Sequence, residues 1–89
     1  MRYVWDRSKA ASNRRKHGID ISDAVPVLED PLALTVLDAG GGETRYVTIG
    51  MDGLGRLLVV VYAIRGHQIR LISARPADRI ERRQYEELP

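Results

Sequence analysis

A run of seven apolar residues, Leu57-Leu58-Val59-Val60-Val61-Tyr62-Ala63, constrains this 89-residue chain more than any other feature. It is rich in β-branched and aromatic side chains and has the length of a strand, not of a helix. A strand with one wet face alternates apolar and polar residues, whereas this run is apolar on both faces and needs cover on both. The chain must therefore supply strands for its edges and helices for its faces.

The other segments provide them. From Leu32 the period is two, with Leu32, Leu34 and Val36 alternating against Ala33, Thr35 and Leu37, which predicts a strand over 32–38. A flexible Ala39-Gly40-Gly41-Gly42 loop leads to a strand over 43–51, with Arg45, Val47 and Ile49 on one face and Thr44, Tyr46 and Thr48 on the other. Asp52-Gly53, with Gly55 close behind, turns the chain into the central run, and Gly66 turns it into a strand over 67–74. Tyr3-Val4-Trp5 reads as a short first strand.

Asp6 stands as N-cap of a helix over 7–17, with Trp5 and Ala10 at the staple positions and Gly18 supplying the left-handed end. This helix has little apolar content and shows solvent a basic face of Arg14, Arg15 and Lys16. Ser22 is read as the cap of a second helix through Ala24, Val25, Val27 and Leu28, stopped at Asp30-Pro31. Pro26, lacking an N–H, predicts a late start or a bend there. Asp78 and Glu81 have capping-box spacing and open a final helix that ends near Leu88. The order β-α-α-β-β-β-β-α predicts an α+β fold, a mainly antiparallel sheet packed by helices, in one domain over 1–89.

Composition narrows the class. The absence of cysteine excludes disulfides and thiolate zinc sites. No run is long enough for a membrane helix, and the N-terminus lacks a secretory apolar stretch, so a cytoplasmic protein without membrane partners is expected. The net charge is only +2, yet residues 1–17 carry +5 and residues 18–43 carry −6. Twelve of the 14 basic residues are Arg, whose planar fork suits phosphate. A G+C-rich genome gives the same excess.

A further pattern runs through these residues: Trp5-Asp6, Lys9-Ala10, Asn13, Lys16-His17-Gly18, Ala24, Asp30-Pro31, Glu43, Arg45, Gly50, the 59–62 stretch, Ile72-Ser73-Ala74-Arg75, Ala77, Glu81 and Tyr85. In order and spacing it resembles the BrnT family of toxins over nearly the whole chain. The resemblance implies a RelE-like fold and a metal-independent endoribonuclease that cleaves RNA, arrests translation and needs no cofactor. It also implies a BrnA-type antitoxin as neutralising partner, with operator DNA reached only indirectly through that antitoxin. The chain departs from the family at Ile21 and Leu28, where Phe is common, and at Pro26.

RNA cleavage without metal needs a group to help remove the ribose 2′-OH proton, cations to offset charge on the phosphorane, and an acid for the leaving oxygen. Arg75, at the end of the last strand, is the first candidate cation; its alternative is a bridge to Glu81 or Asp78. Arg45 must lie near a strand end or be paired. Glu43 is either that partner or a general base. Arg56, at the start of the central strand, falls at the sheet end away from Arg45. His17 is either a proton-transfer group or a cap on the carbonyls of its own helix. Tyr85 resembles a C-terminal tyrosine that positions RNA in the wider RelE-like group, or is half core. Lys16, Arg56, Arg79, Arg82 and Arg83 are candidate RNA contacts, with a solvated or antitoxin-facing surface as the other reading of the last three. Trp5 is read as packing and His67 as a solvated turn residue. No metal-ligand cluster is visible. Two other classes compete: a non-catalytic module that pairs with an antitoxin and tunes operon repression, and a plain nucleic-acid binder, against which the lack of a helix-turn-helix signature counts.

Overall fold

The computed structural model describes residues 1–87. A five-stranded sheet has the order β1-β5-β4-β3-β2, where β1 is Arg2–Val4, β2 Leu34–Asp38, β3 Arg45–Met51, β4 Leu57–Arg65 and β5 Gln68–Pro76. β1 pairs parallel with β5, and the other pairings are antiparallel. As the apolar run requires, β4 lies in the middle, with Leu57, Leu58, Val59 and Val60 all no more than 2% exposed. Fully burying such a side chain is worth about 1.5–3 kcal/mol, so this strand dominates the core.

Helix α1, Arg7–His17, begins and ends as its sequence demands. The Asp6 carboxylate accepts from the Lys9 N–H at 2.9 Å, and Gly18 takes φ 73°, where a Cβ would be strained. Helix α2, Arg79–Glu86, has the capping box of Asp78 and Glu81; the expected end near Leu88 lies outside the described residues.

The second helix departs from expectation. It is a 3₁₀ helix over Ile21–Glu29, its N-cap is Asp20 without a side-chain bond, and Ser22 is an exposed residue within it rather than its cap. Pro26 withholds the N–H that an α-helix would direct at Ser22, and its ring would crowd that carbonyl. Ile21, Ala24 and Val27 are buried at a spacing of three, the period of a 3₁₀ helix, so packing on the sheet sustains a form that is usually short. Strand ends shift as well. β1 stops before Trp5, which is 38% exposed, and β2 starts only at Leu34 because Ala33 and Leu32 N–H groups close a turn on Asp30.

The 3₁₀ helix packs on the face formed by Leu58, Val60, Tyr62, Leu71 and Ala74. There, Tyr62 stacks on Tyr46, and its hydroxyl joins a chain through Thr48 to Thr35 with both links at 2.8 Å. Glu81 and Gln84 of α2 lie over Leu34, Val36, Val47 and Ile49, on the opposite face.

Candidate functional site

β5 determines where the chemistry-bearing residues fall. Strict alternation down from Arg75 and Ser73 would turn Leu71 toward α2 and Arg70 into the core. A bulge opposite Val61 and Tyr62 reverses the parity at Ile72. Leu71 and Ala74 are therefore both buried in the core, while Arg70, Ser73 and Arg75 share the α2 face. Across the sheet the register aligns Val36, Val47, Val61 and Ser73 in one row and Leu34, Ile49, Val59 and Arg75 in the next.

At one end of this face Glu43 pairs not with Arg45 but with two arginines from the β4–β5 hairpin. Its Oε1 accepts from Arg65 Nε at 3.1 Å and its Oε2 from Arg70 Nη2 at 2.8 Å. The Arg70 hydrogen bond, aided by Arg65 and opposed by desolvation, holds this carboxyl below its usual range, which weakens it as a base. Arg45 is the exposed first residue of β3, opposite Asp38 in register.

Arg75 makes the bridge that was its alternative role. Nη1 and Nη2 donate to Glu81 Oε1 and Oε2 at 2.8 and 2.7 Å, and Glu81 Oε1 also accepts the Asp78 N–H as part of the α2 cap. The hydrogen bonding raises the Arg75 pKa and lowers that of Glu81, in each case against desolvation. A phosphate arriving at Arg75 would have to displace Glu81. Tyr85 is likewise engaged: its hydroxyl donates to Asp30 Oδ2 at 2.6 Å, and this bond, with burial, pushes its pKa up to about 12. Desolvation pushes the Asp30 carboxyl up, but the bonds from Tyr85 and the Met51 and Leu32 N–H groups together hold it low. α2 buries no residue fully, and Ile80 is 70% exposed, so these two polar ties are its principal anchors.

Arg56 does lie at the sheet end away from Arg45, but it is committed to the β3–β4 turn. The fully buried Asp52 carboxylate accepts the Arg56 and Leu54 N–H groups and Arg56 Nε at 2.7–2.9 Å, and Asp23 lies 3.5 Å from Arg56 Nη2. Arg82 and Arg83 make long, exposed pairs with Glu86 and Glu87 at 3.7 and 4.0 Å; Arg79 and His67 are exposed.

The remaining station is a groove of about 200 Å³ between α1 and β5, lined by Lys9, Ser12, Lys16 and His17 on one side and Ile72 and Ser73 on the other. Its floor is Asn13, 6% exposed. Asn13 Nδ2 donates to the Ala74 and Ile19 carbonyls at 2.9 and 3.0 Å, and its Oδ1 accepts the Ala74 N–H at 3.0 Å. One side-chain amide thus replaces a strand partner for β5 where β1 has ended, and it fixes α1 to the sheet. Neither lysine nor His17 takes part in any of the ion pairs among the described residues, whereas Arg65, Arg70, Arg75 and Arg56 all do. Sequence reasoning named Lys16 as an RNA contact and His17 as a proton-transfer group or cap without joining them in one groove; it missed Lys9 and Ser12, and Ser73, as a lining, and Arg65 and Arg70 as partners of Glu43. The signal for the first two was their spacing: residues 9, 12 and 16 share one helix stripe.

Among the described residues there is no group of three or more His, Cys, Asp or Glu that could hold a metal ion, and no helix is long and apolar enough to cross a membrane. Residues 5–81 match the family model described as "Ribonuclease toxin, BrnT, of type II toxin-antitoxin system". The fold is similar to the 1.1 Å crystal structure of the Brucella abortus ribonuclease toxin BrnT, with a TM-score of 0.69 at 23% identity, covering 89% of this chain and 99% of that one. No curated protein matches the chain.

Proposed function

This chain belongs to the BrnT family of ribonuclease toxins of type II toxin–antitoxin systems, and from that premise we propose that it is a metal-independent endoribonuclease centred on the α1–β5 groove. The observation that carries this reading is that His17 and Lys16 line one groove free of carboxylates, while most arginines of the α2 face are already neutralised. An imidazole is the side chain able both to take and to return a proton near neutrality. In the proposed reaction the ribose 2′-oxygen forms a bond to phosphorus and the bond to the 5′-oxygen breaks. The 2′-OH proton is lost to a base, the 5′-oxygen gains one from an acid, and His17 is the proton-transfer group. Lys16 offsets charge on the phosphorane, with Arg45 as an exposed contact along the RNA and Arg79, Arg82 and Arg83 as outlying ones. Arg75 acts by holding α2, and Glu43 by ordering Arg65 and Arg70. Tyr85 ties α2 to Asp30.

As a type II toxin the chain has an antitoxin partner. We assign that partner to the BrnA type and expect it to connect the toxin to operator DNA.

The test is incubation of the purified protein with RNA in chelator, followed by analysis of fragment ends. Cyclic 2′,3′-phosphate and 5′-hydroxyl ends are expected. His17→Ala should lower the cleavage rate by about 10²–10⁴ at unchanged stability, the usual worth of a positioned acid or base. Full activity in that variant, or cleavage abolished by chelator alone, refutes the reading.

A further inference from the structure

We infer that Lys9, Lys16, Ser12 and Ser73 form a preorganised seat for one phosphate of a single-stranded RNA backbone. This rests on the ribonuclease reading and adds three residues to it. Lys9, Ser12 and Lys16 lie three and four residues apart on α1 and so project from a single stripe of the helix, with His17 beside them at its end. Ser73 faces them from β5, directly after the bulged Ile72. The two walls cannot drift apart, because Asn13 pairs with both the N–H and the carbonyl of Ala74 between them. The Asp6 cap fixes the N-terminal end of the same helix at the Lys9 N–H.

The lining presents two ammonium groups and two hydroxyls, with no carboxylate. Two lysines lining one groove without counter-ions attract an anion. Lysine meets phosphate as a mobile point charge, and serine hydroxyls donate to non-bridging oxygens. The volume, about 200 Å³, falls below that of pockets that enclose whole drug-sized ligands, and suits a phosphate group with its ester oxygens rather than a base. A phosphodiester seated here lies against His17. Arg65, Arg70 and Arg75 carry their own carboxylates, and Arg2, Arg7, Arg15, Arg45 and Arg79, which make no ion pair among the described residues, are exposed and do not line this groove.

The test uses the whole protein and a short 2′-O-methyl RNA oligonucleotide, which binds but cannot be cleaved because its 2′-oxygen is blocked. Dissociation constants are measured over a series of salt concentrations for wild type, Lys9→Met, Ser73→Ala and, as a control at β1, Arg2→Met. Loss of one charge-assisted contact should weaken binding about ten-fold or more in Lys9→Met. The slope of log K against log salt should also fall by about 0.7, the value for one phosphate contact on a single strand. Ser73→Ala should weaken binding about three- to ten-fold with its slope unchanged, as for a neutral donor. Arg2→Met should match wild type. In cleavage assays Lys9→Met should raise KM and leave kcat within a few-fold, the opposite of His17→Ala. The Lys9 side chain is exposed and unpaired, so its variant should melt as wild type does, and Ser73→Ala provides an independent reading if it does not. Wild-type affinity and salt slope in Lys9→Met overturn the seat, and if His17→Ala is inactive at the same time the ribonuclease reading stands without it. If the wild-type protein cleaves no RNA yet binds the oligonucleotide through Lys9, the seat stands and the catalytic reading falls. Weakened antitoxin binding with unchanged RNA binding in Lys9→Met makes the groove a protein contact and overturns the proposal.

Discussion

Replacing Arg75 separates two kinds of arginine that a sequence cannot tell apart. A residue that meets the phosphate only in the transition state is worth about 10²–10³ in rate and little in stability. A residue that clasps a helix is worth stability first. In the structure, Arg75 makes two ionic hydrogen bonds to Glu81, with side chains 39% and 19% exposed. Hydrogen bonds to charged groups contribute about 1.5–3 kcal/mol each when shielded, and exposed ion pairs about 0–1, so solvent screening at Arg75 brings the pair to about 1–3 kcal/mol. For a domain of this size each kcal/mol moves the melting midpoint by about 4–8 °C, giving an expected loss of about 4–24 °C in Arg75→Ala. Glu81→Gln should lose a similar amount, and the double variant little more than the worse single one, because all three break one interaction. Thermal melts by circular dichroism, with cleavage rates measured well below each midpoint, decide the matter. Activity should track the folded fraction. A wild-type midpoint in Arg75→Ala, with cleavage reduced by orders of magnitude, would refute the clasp and restore Arg75 to the reaction.

The other expectations concern the same anchors. Asn13→Ala leaves the Ala74 N–H and the Ala74 and Ile19 carbonyls without partners, and should cost about 2–4 kcal/mol in urea unfolding. Gly50→Ala should destabilise by about 1–3 kcal/mol, since overpacking has no room to relax: its Cβ would lie 2.9 Å from the Val27 carbonyl oxygen and 3.0 Å from Val27 Cγ1. The carboxyls of Asp30, Asp52 and Glu81 are held below their ordinary values, so their contribution is present above about pH 4–5 and is lost as pH falls through the lowered pKa values; midpoints should be flat near neutrality and drop in acid. Tyr85 behaves oppositely, its bond to Asp30 contributing below the ordinary tyrosine pKa of 10.0 and failing as pH rises through about 12. An ultraviolet titration should therefore lose a tyrosine step near pH 12 in Tyr85→Phe.

Most of the fold was legible because its signals are local. The apolar run located the central strand, Asp6 and Gly18 bounded α1, and the Asp78–Glu81 spacing marked the start of α2. The errors fell where one local rule competed with another or with packing. Pro26 correctly warned against an ordinary helix, but the 3₁₀ form is apparent only from the three-residue spacing of Ile21, Ala24 and Val27, which a search for a period of 3.6 passes over. The bulge in β5 left no mark in composition: Ile69 through Arg75 reads as a plain strand, and only the pairing with β4 shows that Arg70 and Arg75 share a face.

The site was less legible for a different physical reason. Which cations are available depends on which carboxylates reach them, and those pairings are mostly made by the fold. Sequence spacing exposes contacts within one helix, such as Arg82 with Glu86, and these are the weak, solvated ones. The pairs that remove Arg65 and Arg70 from the list join residues 22 and 27 positions from Glu43. Counting arginines therefore drew attention first to Arg75, whose guanidinium group the folded chain commits to Glu81 through both terminal nitrogens, and next to Arg45. The two lysines, a minority of the basic residues, were left without partners beside His17. In a small basic domain with nearly as many acids as bases, the functional surface is what internal neutralisation leaves over. It is read by subtracting the pairs the fold makes, not by adding up charge.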